Sequence, residues 1–230
     1  MMTNLFSIFD SNTNNFFDLN WLSSILNMLI FPMIYWFSNS RLIFLMKMIL
    51  MIMYTEIKII LKIKFNYLNS IFFISLFLFI LLNNFMGMFP YIFTSSSHMI
   101  FSLSFSLPLW FSLMIFLWSK NYLLAFAHMI PQGTPNILMP FMVLIETISN
   151  LIRPLTLSIR LTANMIAGHL LLTLLSETAN SNLIFIMIFV IMIQMILLIL
   201  EFSVSIIQSY VFTILSTLYT KETNYDKKIK

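Results

Sequence analysis

Six side chains in the last two apolar stretches are of types that hold, move or orient a proton: Glu146, Arg160, Asn164, His169, Glu201 and Gln208. A carboxyl and an imidazole exchange protons, a guanidinium keeps its own, and amides hydrogen-bond to either. The set therefore has the chemistry of proton transfer around a fixed positive charge. Arg160 is the most informative member. Placing it near a bilayer centre costs about 2.5–3.5 kcal/mol on insertion scales. No acid lies within one helical turn of it, so its partner is expected on another helix or another chain.

At about 100° per residue, Glu146, Arg160 and Asn164 point within roughly 40° of one another, while His169 points about half a turn away. Along an unkinked helix, Glu146 lies about 21 Å from Arg160 on one side and His169 about 13 Å on the other. One straight proton wire is excluded. Arg160 instead divides two polar regions, each reaching one face. Glu201 and Gln208 share a face of the final helix, so an antiparallel hairpin would bring a carboxylate to His169 and an amide to the Arg160 neighbourhood. Ala163, Ala167 and Gly168 would let a neighbouring helix come close, although ordinary hairpin packing explains them equally well.

The remaining charges have plainer readings. Arg153, seven residues before Arg160 and on the same face, either snorkels toward lipid phosphate or has a role of its own. Glu177 reads as a solvated turn residue, and His98 and His128 as interfacial loop residues. A purely structural salt-bridge network is the competing account of Arg160, His169 and Glu201.

These side chains must be positioned inside a membrane. With 60% apolar and 9% charged residues and a mean hydropathy of +0.95, the chain cannot present a soluble surface. No charged residue lies between Lys64 and Lys120 or between Glu177 and Glu201, stretches long enough for spans of about 20 residues. The fold class is all-α, a single polytopic membrane domain over 1–230 with about five spanning helices. A polar N-terminus (1–20) precedes span one (21–38), which has Trp21 and Trp36 near its ends. Residues 41–64 read as a basic interfacial helix. Two spans follow (66–90 and 98–118), the second with Pro108 as a kink, and 128–135 is a Pro/Gly loop. The segments 139–176 and 182–219 form a long tilted hairpin with Pro154 as a kink, and 220–230 is a tail. Five crossings put the basic residues of 41–64, Lys120 and the tail on one side, with the N-terminus outside and the C-terminus inside. The start lacks a signal or transit pattern, so insertion as synthesised is expected.

There is no cysteine, which excludes disulfides and thiolate metal sites within the chain. No cofactor and no metal are expected, and no phosphate-binding Gly-rich signature occurs. Nineteen Met, with abundant Ile, Phe and Asn, fit an A+T-rich coding genome.

The stretches 128–135 (HMIPQGTP), 145–149 (IETIS), 160–164 (RLTAN), 167–171 (AGHLL) and 207–212 (IQSYVF) together resemble subunit a of the F-type ATP synthase, in its mitochondrial form. The likeness covers roughly residues 120–220, and the first 100 residues match in hydropathy and layout. The resemblance implies a stator subunit beside a ring of c subunits, with other membrane and peripheral-stalk subunits as partners and nucleotide chemistry elsewhere. It implies the mitochondrial inner membrane, N-terminus toward the intermembrane space and C-terminus toward the matrix. Arg160 matches the family's essential arginine, which faces the ring carboxylate and separates two half-channels. His169 and Glu201 match the half-channel open to the intermembrane space, Glu146 the matrix-side half-channel, and Asn164 and Gln208 the arginine's polar neighbours. Bacterial members usually reverse the acid and imidazole, so this order points to the mitochondrial branch.

The main alternative is a proton- or ion-coupled secondary transporter, against which stands the lack of an internal repeat. A haem subunit would need paired axial histidines in its spans, and two of the three His fall in expected loops. A plain membrane anchor leaves Arg160 unexplained. Lipid and protons are expected ligands, and nucleic acid is not.

Overall fold

The computed structural model describes residues 5–12, 18–30, 40–61, 67–89, 91–120, 122–130, 135, 137–179 and 184–223, with no strand among them. After a short 3-10 turn (Leu5–Phe9), the helices are α1 (Leu22–Leu26), α2 (Arg41–Leu61), α3 (Tyr67–Gly87), α4 (Met99–Lys120), α5 (Tyr122–His128), α6 (Met139–Thr178) and α7 (Ile184–Thr223). Four of them, α3, α4, α6 and α7, are long and apolar enough to cross a membrane. Pro108 and Pro154 lie inside α4 and α6, which run on as single helices.

The expected first span is described only to Ile30, and that part is not one helix: α1 has five residues and is flanked by 3-10 turns. Its polar side chains are committed to neighbours, Asn27 Nδ2 donating to Asn83 Oδ1 at 2.8 Å and Ser23 Oγ to the Phe93 carbonyl at 3.2 Å. Residues 31–38 of that span, 62–64 of the basic segment, and Pro131 to Thr134 of the loop lie outside the described residues. Helix α2 keeps Lys47, Glu56 and Lys58 and packs its C-terminal half, Ile57 and Leu61, on Phe73 of α3. The helix α5 has no counterpart in the sequence reading, and His128 ends it rather than opening a loop.

The core forms where α3, α6 and α7 meet, with Leu76, Ile80, Leu157, Leu161 and Phe212 buried together and Phe105 and Leu109 of α4 packed against them. Along α7 the polar positions form the buried stripe. Ser205, Ser209, Thr213, Ser216, Thr217 and Thr220 face inward, while Met192, Met195, Ile196, Ile199, Ile206 and Ile207 are exposed. Lipid rewards this arrangement, because small residues let helices approach and Leu or Ile gains nothing by leaving hydrocarbon. A hydroxyl left unpaired in an apolar setting costs about 1–3 kcal/mol by mutational measures. The stripe avoids this by bonding back to its own helix: Ser209 to the Ile206 carbonyl at 2.7 Å, Thr213 to Tyr210 at 2.9 Å and Thr217 to Ile214 at 2.8 Å.

Helices α6 and α7 have 40 residues each, about 60 Å of helix against a hydrocarbon core of about 30 Å. Each is about twice as long as that core is thick. They pair antiparallel: from Gly168 back to Arg153 along α6, the partners advance from Glu201 through Gln208 to Glu222 along α7. This pairing sets the polar side chains in order.

Candidate functional site

Arg160 lies exposed on α6, as do Ala163, Asn164 and Ala167 on the following turns. Among the described residues it has no ion pair or hydrogen bond; both ion pairs belong to Arg153. Among the described residues no helix covers Ala163 or Ala167. They leave the cation on a bare face. One turn on, Asn164 Nδ2 donates to Oε1 of the buried Gln208 at 3.2 Å, so Arg160 has an amide pair for a neighbour.

Toward the α6–α7 turn, Asn164, Gly168, His169, Glu201 and Ser205 line an open cavity of about 280 Å³, with Met88 also in its wall. Glu201 is 8% exposed, yet neither carboxyl oxygen has a hydrogen-bond partner among the described residues. His169 Nε2 is likewise unpartnered, while the ring faces the backbone carbonyl of Gly87. The acid and the imidazole share this space without an ion pair between them, so a proton passing from one to the other needs water in the gap. Gly168 makes the arrangement fit: a Cβ there would sit 2.5 Å from Glu201 Oε1 and 2.8 Å from Cδ. Small-residue packing in this hairpin thus serves one carboxyl group. Phe9 meets His169 edge-on, ring centroids 6.3 Å apart, a contact invisible in a segment that reads as a polar tail.

At the other end, Arg153 binds Glu222 Oε2 at 2.9 Å, approaches Glu146 Oε1 at 3.8 Å and lies 5.4 Å from the Tyr219 ring centre. Glu146 is half-buried on the same flank of α6 as Arg153. Glu222 and Tyr219 are additions the sequence reading lacked, and Arg153 takes protein acids where lipid phosphate was one expectation. The seven-residue spacing of Glu146 and Arg153 signals the shared face, but nothing local signals that α7 ends beside them. The six expected residues thus fall into three groups: His169 and Glu201 with the cavity, Arg160 beside the Asn164–Gln208 pair, of which Asn164 also lines the cavity, and Glu146 with Arg153.

Comparisons with known proteins show the family of the chain. The family model of the ATP synthase A chain matches residues 19–221. ATP synthase subunit a of Drosophila melanogaster is 54% identical over 224 residues, 97% of this chain and 100% of that protein. The Locusta migratoria protein of the same name is 54% identical over 96% of this chain and 99% of its own, and the Aedes aegypti one 51% over 97% and 100%. An embedded arginine on a bare helix face, polar groups to either side of it and full-length likeness lead to one conclusion: the chain belongs to the ATP synthase A chain family, the proton-conducting stator subunit of the F-type ATP synthase.

Proposed function

We propose that this subunit conducts protons through two offset half-channels kept apart by Arg160, and that its bare α6 face is where a rotating ring of c subunits passes. The observation that carries the reading is Arg160, a permanent cation exposed on a membrane helix with no partner among the described residues. A ring carboxylate arriving ionised is held by Arg160 and displaced when it takes up a proton. Glu201 and His169 supply the outer half-channel across the cavity, and Glu146 the inner one. Asn164 and Gln208 orient the guanidinium's surroundings. Each proton driven across is worth about 2.3 kcal/mol per 100 mV, and the fixed charge makes that flow turn the ring instead of leaking past it.

In this reading the subunit lies in the mitochondrial inner membrane, with the N-terminus toward the intermembrane space and the C-terminus toward the matrix. Other ATP synthase membrane and peripheral-stalk subunits hold it, and nucleotide chemistry belongs to other subunits. The test is Arg160→Ala in membranes carrying the assembled complex: insertion is retained and proton-driven synthesis is lost. Normal synthesis by this variant contradicts the assignment. Proton transport by the isolated chain, with no ring present, favours a secondary transporter instead.

A further inference from the structure

Helix α4 carries five serines, and four of them spend their hydroxyls on their own helix. Ser102, Ser104, Ser112 and Ser119 each donate to the carbonyl three residues back, at 2.7–3.1 Å. Ser106 is the exception. It is 3% exposed, and its hydroxyl has no hydrogen-bond partner among the described residues. Trp110 lies one turn on, on the same face of α4, and its indole N–H is buried and likewise unpartnered among the described residues. Leaving such groups unpaired in an apolar setting is expensive, so a protein partner or an ordered water meets them.

Both side chains line one small cavity where α4 meets the hairpin. Its volume is about 20 Å³, and Pro154 of α6 with Ser216 and Tyr219 of α7 also form its wall. A water molecule needs about 10–15 Å³ by this measure, with about two to four polar partners. This space therefore takes a single water. The partners are present. The Trp110 N–H can only donate, and a water oxygen accepts from it. The Ser216 hydroxyl already donates to the Thr213 carbonyl at 2.8 Å, so its oxygen is left to accept from the water. Ser106 can do either. Pro154 has no N–H, so at this wall the Asn150 carbonyl lacks its ordinary helix donor.

We propose that Trp110 and Ser106 bind one water that bridges α4 to Ser216 of α7 at the Pro154 turn of α6, and that this bridge holds the backbone from which Arg153 projects. Arg153 immediately precedes Pro154, and the Tyr219 ring in the cavity wall also stands 5.4 Å from its guanidinium. The water thus braces the cation that binds Glu222 and approaches Glu146. A membrane helix with a proline in its interior needs support of this kind, because one backbone bond is missing at that turn. The site stands apart from the half-channel reading: α4 carries none of the six polar residues on which that reading rests.

Density maps of the assembled complex, fine enough to show ordered water, test the binding directly. A water within hydrogen-bond reach of both Trp110 Nε1 and Ser106 Oγ is expected; a dry site, or both groups bonded to protein instead, overturns the proposal. Trp110→Phe keeps an aromatic ring and removes the N–H. In its map the water should be lost, and the Arg153–Glu222 contact, 2.9 Å in the native chain, should open beyond about 4 Å, out of ion-pair range. Water lost with that contact unchanged contradicts the bracing, however much the variant lowers the yield of complex. If Trp110→Phe fails to assemble, Ser106→Ala, which adds no volume, is read in the same way. A double-mutant cycle on the thermal midpoint of the complex checks that the two residues share one water: together the changes should lower it little further than the larger single change does. Strict additivity would mean two separate roles, and it overturns the shared site.

Discussion

Near the α6–α7 turn an acid and an imidazole share a cavity without touching, whereas at the far end of the hairpin two acids are gripped by one guanidinium. The first arrangement is held by shape. Glu201 lies buried against Gly168, with both oxygens unpaired among the described residues, and such burial costs about 1–3 kcal/mol that surrounding packing must offset. The second is held by charge. Arg153, Glu146 and Glu222 are a third to a half exposed, and ion pairs of that kind contribute about 0–1 kcal/mol. A buried acid beside a cavity on one side and an exposed ion-pair cluster on the other suit two proton paths that must not merge. Loss of a titratable group should cost more at the outer end than at the inner one.

Glu201→Gln gives the largest effect expected from either end. It removes the one acid of the cavity, and general acid–base steps typically contribute about 100-fold or more; proton-driven synthesis in vesicles should fall by that order while the subunit still assembles. Near-normal synthesis would remove Glu201 from the path.

The exchange of His169→Glu with Glu201→His sharpens the comparison next. Because the pair shares a cavity without contact, a double-mutant cycle should give a coupling of about 0.5–1 kcal/mol, the low end for interacting residues, with more transport retained than the single losses imply. Strict additivity would leave one of the two outside the path.

At the inner end, Glu146→Gln should slow proton exchange several-fold, less than Glu201→Gln does on the outer. It should not raise passive leak, since the barrier at Arg160 is untouched. A raised leak with normal turnover would mean that Glu146 belongs to the barrier and that the two ends are not separate. Gly168→Ala is the mildest change. The clashing atoms are the far end of the Glu201 side chain, which can swing away, so the complex should assemble, with outer-side uptake reduced and thermal stability little altered. No change in uptake would show that the carboxyl position is not critical.

Much of this was legible in the sequence because lipid makes polar positions conspicuous. Glu146, Arg160, Asn164, His169, Glu201 and Gln208 stand out against their apolar surroundings, and helical spacing alone divides them around Arg160. Their grouping along an antiparallel hairpin followed from the same spacing. Partners supplied by distant segments were not legible. That α7 ends beside Arg153, that Phe9 reaches His169 and that the Ser95–Ser97 turn folds into the bundle are tertiary facts without a local signal. The first span shows a different limit: hydropathy over 21–38 suggests one helix, but Ser23 and Asn27 are drawn into bonds with the α3–α4 region and the described part breaks into short turns.

The central claim is that Arg160 keeps the two ends apart, and passive proton flux tests it most directly. Vesicles carrying the assembled complex with Arg160→Ala, nucleotide sites idle and a proton gradient imposed, should leak faster than wild type, and blocking the outer cavity with Glu201→Gln in the same chain should stop the added leak. Flux in Arg160→Ala equal to wild type, with proton-driven synthesis intact, would contradict the account.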